Sequence, residues 1–235
     1  MPAVFINAGA VLIGSILGLI FRDRLNERLQ NTLIVVLGLC TAAIGATSAI
    51  ATADTLCLTL SMIFGTLIGE AIDIDRGIER LGDAIKGLVK KQSGGSRFSE
   101  GFLSASILFC IGPMTIMGSL KAGINGDFSI IVAKSVLDCI SAMAFASAMG
   151  IGVAFSSLFV LLFQGAITLF AVYLGSAFSA PAVTEMSAVG GTILLGMSIN
   201  MLSLRSERIR VANMLPAIFL PLAYLPIREW LTGIL

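Results

Sequence analysis

Eight apolar stretches of roughly 17 to 26 residues, separated by short polar segments, constrain this chain more than any other feature. They run Phe5 to Phe21, Leu33 to Ala51, Leu56 to Ile72, Phe102 to Leu120, Phe128 to Met149, Val153 to Phe178, Met186 to Leu204 and Val211 to Ile227. A bilayer core about 30 Å thick needs ~20 apolar residues of helix, and no stretch alternates in the ten-residue pattern of a barrel strand. With 57% hydrophobic and 12% charged residues, the chain is too apolar for a water-soluble fold. The expected class is all-α, a polytopic transmembrane helix bundle of about eight spans forming a single domain, 1–235. The first stretch lacks a basic leader and ends in Arg22 and Arg24, so it reads as a span and not as a cleaved signal.

Charge then orients the spans, because Lys and Arg collect on the cytoplasmic side. Twelve of the 15 basic residues fall after spans one, three and seven; Lys121 and Arg228 lie on the other side, and Lys134 lies within a span. Both termini are therefore expected outside. The segment 74–91 places Ile74, Ile78, Leu81, Ile85 and Leu88 on one face with charges opposite, as in an amphipathic helix lying along the headgroups. Residues 92–98 follow as a linker.

The ends of the chain resemble each other. Gly9-Ala10-Val11 before Leu17-Gly18 is matched by Gly165-Ala166-Ile167 before Leu174-Gly175, and Leu60-x-x-Ile63-Phe64-x-x-Leu67 by Leu215-x-x-Ile218-Phe219-x-x-Leu222. Spans one to three would then correspond to six to eight, an odd offset that turns the second copy upside down. This reads as an inverted three-helix repeat, 1–73 and 151–235, around a central broken-helix hairpin, 99–150. Inverted repeats are common in secondary transporters, with the site near the midplane.

The hairpin carries the polar anomalies. Pro113 cannot donate to the carbonyl of Phe109, and Gly112 frees the backbone beside it, so span four is expected to break near mid-membrane. The exposed helix end suits an anion, helped by the Thr115 hydroxyl, and the exposed carbonyls suit a cation. Lys134 and Asp138 are four apart on one helix face and can neutralise each other at depth. Such a pair marks an ion or solute pathway, or serves only to fix packing. Gln164 near the middle of span six is either a pathway residue or an interhelical hydrogen bond. Glu70 and Glu185 sit at span ends where both can reach water. Gly190 and Gly191 offer a second break. Gly14-x-x-x-Gly18 and Gly65-x-x-x-Gly69 are flat faces for close approach, to a helix of this chain or of a second copy.

The chain has no His, which removes Ser-His-Asp chemistry and the commonest metal ligand; its four Cys form no metal-binding pair. We expect no enzymatic activity, catalytic residue, cofactor or metal site. A net charge of +1 argues against nucleic acid as a partner, since phosphate binding needs a clustered basic face. The expected partners are the lipid bilayer and a small ion or solute, moved by a secondary carrier. The alternatives are an ion channel and a non-transporting structural or regulatory membrane protein.

The runs CIGPMTIMGSLKAGINGD, AKSVLDCISAMAFASAMGIGVAFS, FQGAIT, GTLIGEAIDID and VGGTILLGMSINML together resemble the YqgA-like (YdfK-like) family of bacterial inner-membrane proteins, over nearly the whole chain. The resemblance implies a multi-pass bacterial cytoplasmic-membrane protein and assigns no substrate or site role.

Overall fold

The computed structural model describes residues 1–22, 26–77, 80, 95–110, 113–174 and 179–232. These residues form a bundle of nine α-helices and one 3₁₀ segment, with no strand among them. The helices are α1 (Pro2–Arg22), α2 (Glu27–Ile50), α3 (Thr55–Ile72), α4 (Gly95–Cys110), α5 (Pro113–Ile124), α6 (Ser129–Met149), α7 (Gly152–Leu174), α8 (Ala180–Met201) and α9 (Pro221–Thr232). The 3₁₀ segment, Val211–Phe219, leads into α9. Among the described residues, seven spans are long and apolar enough to cross a membrane, or eight if the bent pair α4–α5 counts as one. The protein is an all-α polytopic membrane bundle.

Glycines set how closely these helices approach. A Cβ on Gly14 or Gly18 would lie 2.1 or 2.2 Å from the carbonyl oxygens of Cys139 and Met143, so α1 runs parallel to α6 in backbone contact. Gly65 and Gly69 meet Ala217 and Asn213, bringing α3 antiparallel against the 3₁₀ segment. Both Gly-x-x-x-Gly faces are thus filled within one chain. Along α2, Gly38 meets Met201 and Leu202, and Gly45 meets Leu194, so α2 and α8 also pack antiparallel. The α4–α5 pair runs parallel to α7. Phe98 meets Phe155 with tilted rings and Phe102 meets Phe159 edge-on, and Gly123 abuts the carbonyl of Thr168.

Two expectations are corrected. Gly190 and Gly191 do not break their span, because α8 continues through both and Gly191 uses its missing side chain to admit Gly45 and Ser48 of α2. The linker expected at 92–98 ends earlier, since Gly95 already begins α4; 92–94 lie outside the described residues. The last span starts as 3₁₀, with Pro216 inside it and Pro221 opening α9, each proline withholding an amide donor. Of the amphipathic segment, 74–77 are helical and most of the remainder lies outside the described residues.

Two ends of the bundle differ in charge. Arg22, Arg28, Arg205, Arg208 and Arg210 gather where α1 and α8 end and α2 begins, which we term the basic end. There Arg210 donates to Glu70 at 2.9 Å and to Asp73 at 2.7 Å, while Asn200 braces the 202–210 loop through two 2.8 Å bonds with the backbone of Ile209. At the opposite end Asp54 caps α3 and holds Arg228 at 2.7 Å.

Candidate functional site

The break between α4 and α5 is a bend of 58° across residues 111 and 112. Gly112 lies outside the described residues; Pro113 opens α5, the helix position at which a missing N–H costs least. The carbonyl of Phe109 that Pro113 leaves unpaired is taken by the hydroxyl of Thr115, which donates at 2.9 Å and is wholly buried. Thr115 therefore stabilises the break itself. Its hydroxyl is committed to a carbonyl, which reassigns its expected role as an anion donor.

On α6, Ile131, Ser135 and Asp138 share an inward stripe with Lys134. Lys134 Nζ donates to Asp138 Oδ2, and both side chains are more than nine-tenths buried. The ammonium also stands 5.9 Å from the centroid of the Phe109 ring, next to the carbonyl that Thr115 caps. The helix break and the ion pair thus face each other. Between them lies a pocket of about 250 Å³, walled by Phe109, Thr115, Lys134, Asp138 and Ser141, with Ile44 and Ser48 of α2 opposite and the exposed Met114 and Leu137 at its outward-opening side.

Gln164 belongs to the same centre. Its Oε1 accepts a 2.9 Å bond from Asn7 Nδ2 of α1, and the Asn7 side chain also bears on the Asp138 carboxyl. Asn7 and Gln164 are fully buried, yet Asn7 Oδ1 and Gln164 Nε2 have no hydrogen-bond partner among the described residues. An acceptor and a donor thus remain unused beside the ion pair. Sequence reading missed Asn7; the available signal was an amide inside a span otherwise free of strong polar groups, near one end and so easily assigned to the interface.

The two glutamates separate. Glu70 stays half-exposed at the basic end, paired with Arg210. Glu185 does not reach water: it is 2% exposed at the start of α8, where its carboxylate accepts from Thr52 Oγ1 at 2.6 Å and from the amides of Ala53 and Asp54 at 2.8 and 3.1 Å. A carboxylate at that depth persists because three donors replace its hydration. Glu185 therefore ties the α2–α3 turn to α8 and does not line the central cavity. Gly191 contributes helix contact, and neither it nor Gly190 lines either cavity.

A second cavity, of about 420 Å³, opens at the basic end between α2, α4, α6 and the end of α8, lined by Asn31, Val35, Glu100, Met149, Met201 and Ser203. It shares no lining residue with the central one.

Comparison with known proteins supports the membrane assignment without adding chemistry. The chain is 32% identical over 219 residues, 92% of each chain, to "Uncharacterized protein YqgA" of Escherichia coli (strain K12). It is 28% identical over 225 residues, 94% of each chain, to "Uncharacterized membrane protein YdfK" of Bacillus subtilis (strain 168). No solved structure matches it. The model of the DUF554 family, described as "Protein of unknown function", matches residues 2–225, and the chain belongs to that family.

Proposed function

We propose that this protein carries a small ion or solute across the cytoplasmic membrane of a bacterium, through the central cavity. The observation that carries the reading is the buried Lys134–Asp138 pair set in a cavity wall opposite a broken helix. A pair serving packing alone would be expected in a filled interior. Here the charges border some 250 Å³ of open volume, with the unused polar atoms of Asn7 and Gln164 at their back. Ionisable side chains inside a membrane mark pathways more often than scaffolding, because their burial is costly.

The site is charge-balanced and can exchange partners. A cation displacing the ammonium from Asp138, or an anion displacing the carboxylate from Lys134, leaves the cavity no more charged than before. This favours a carrier over a channel, as does the lack of shared lining between the two cavities. The antiparallel packing of α2 on α8 and of α3 on the 3₁₀ segment, and the contact of α1 with α7, support an inverted repeat whose equivalent spans meet at its axis. We further propose that the basic end is cytoplasmic and both termini lie outside.

The test is purified protein in liposomes, scanned for flux of Na⁺, K⁺, H⁺, Mg²⁺, halides and small organic anions. One of these should move with saturable kinetics, and Asp138→Asn should slow it at least ~10-fold, the effect of losing about 1.4 kcal/mol of site stabilisation. Unchanged flux in that variant removes Asp138 from the pathway. Absence of flux for every solute overturns the transport reading in favour of a structural or regulatory one.

A further inference from the structure

The two cavities are stacked along one seam. Each has walls from α2, α4 and α6. On α4 the basic-end cavity is lined by Glu100 and the central one by Leu108; on α6 the corresponding residues are Met149 and Ser141. Both separations are eight residues, about 12 Å along a helix, so α4 and α6 agree on the spacing.

One residue on each wall stands midway. Ser104 is four residues from both Glu100 and Leu108, Phe145 is four from both Ser141 and Met149, and Thr41 is seven from both Ile34 and Ser48. Spacings of four and seven keep each on the helix face that lines the cavities. All three are buried, to between 2% and 3% exposure. Each wall thus carries one buried residue, an aromatic ring on α6 and a hydroxyl on α4 and on α2, between the cavity open at the basic end and the ion pair.

We infer that the route between the Lys134–Asp138 site and the basic end of the bundle follows this α2–α4–α6 seam, and that Phe145, with Thr41 and Ser104, is its closed gate. The inference rests on the transport reading for its purpose and on the stacked cavities for its course. The hydroxyls give a passing polar solute hydrogen-bonding partners when the ring swings aside, and the ring excludes it otherwise. α2 is suited to yield, since only 17% of its best membrane window is buried.

Thiol labelling tests the route without requiring flux. In a background with Cys40, Cys57, Cys110 and Cys139 replaced, single cysteines are placed by Met149→Cys, Ser141→Cys and, facing lipid, Val136→Cys. A membrane-impermeant charged methanethiosulfonate is then added to vesicles of single orientation. Met149→Cys should react only from the basic end and Val136→Cys from neither. Ser141→Cys should react from the basic end, about tenfold faster once Phe145→Ala lowers the cost of local opening. If Phe145→Ala does not assemble, Thr41→Phe, which enlarges the plug, should slow the Ser141→Cys reaction by a similar factor. Labelling of Ser141→Cys only from the opposite end, or at a rate that neither change alters, overturns the gate. Labelling as expected in a protein that moves none of the tested solutes preserves the route and sinks the transport reading, so the two failures are distinct.

Discussion

At the scale of single residues, the polar groups divide by what their donors and acceptors do. Glu185 spends its carboxylate on three local donors. Glu185→Gln keeps the shape but turns one acceptor oxygen into a donor facing other donors, and should cost about 1.5–3 kcal/mol, the range for hydrogen bonds to charged groups. Thermal unfolding in detergent reads the loss, and transport should survive once the protein is folded. Asp54, outside the spans, has its carboxyl held below the ordinary value, chiefly by the Cys57 amide and then by Arg228, against the opposing effect of partial burial. A depressed folded-state pKa means stabilisation that is complete above the unfolded value near 4 and is lost as pH falls through the folded one. Melting profiles of the native protein should therefore fall in acid more steeply than those of Asp54→Asn, and equal slopes would contradict this. Asn7 and Gln164 form the complementary class, whose mutual bond leaves one acceptor and one donor atom unused.

At the scale of elements, glycines and prolines decide the contacts. Gly18→Ala puts a methyl 2.2 Å from a backbone oxygen of α6, which cannot retreat without moving the helix, so overpacking should cost about 1–3 kcal/mol. Gly165→Ala meets nothing within 4 Å and should be neutral or stabilising by up to ~1 kcal/mol through helix propensity. Melting temperatures of the two variants should shift in opposite directions. At the α4–α5 break, Thr115→Val leaves the Phe109 carbonyl without its buried partner, a loss of about 1–3 kcal/mol, and frees the bend that faces Lys134. Its effect on flux should exceed that of Glu185→Gln at matched stability.

At the scale of the whole molecule, span number and helical class were legible, because ~20 apolar residues between polar segments have few alternatives in a bilayer. The break at Pro113 was legible because a missing amide is a local fact. Partners were not: nothing near Gly14 states that α6 will fill its groove, or near Glu185 that the α2–α3 turn will fold over it. Gly190-Gly191 misled for the same reason, since a glycine pair looks alike whether it frees a backbone or admits a neighbour. The orientation has its own check: reporters fused at Met1 and after Leu235 should both register outside, and a cytoplasmic signal from either would invert the scheme. The burial of α8 also bears on biosynthesis. Its best membrane window is 72% buried and has a mean hydropathy of only 1.4, against 2.2 for α2. A span so weakly apolar leaves the insertion machinery readily only onto a waiting surface, and α2, synthesised some 150 residues earlier, presents Gly38 and Gly45 as that surface. Bulk added at either glycine should thus appear first as α8 failing to enter the membrane during translation, before any loss in the finished protein.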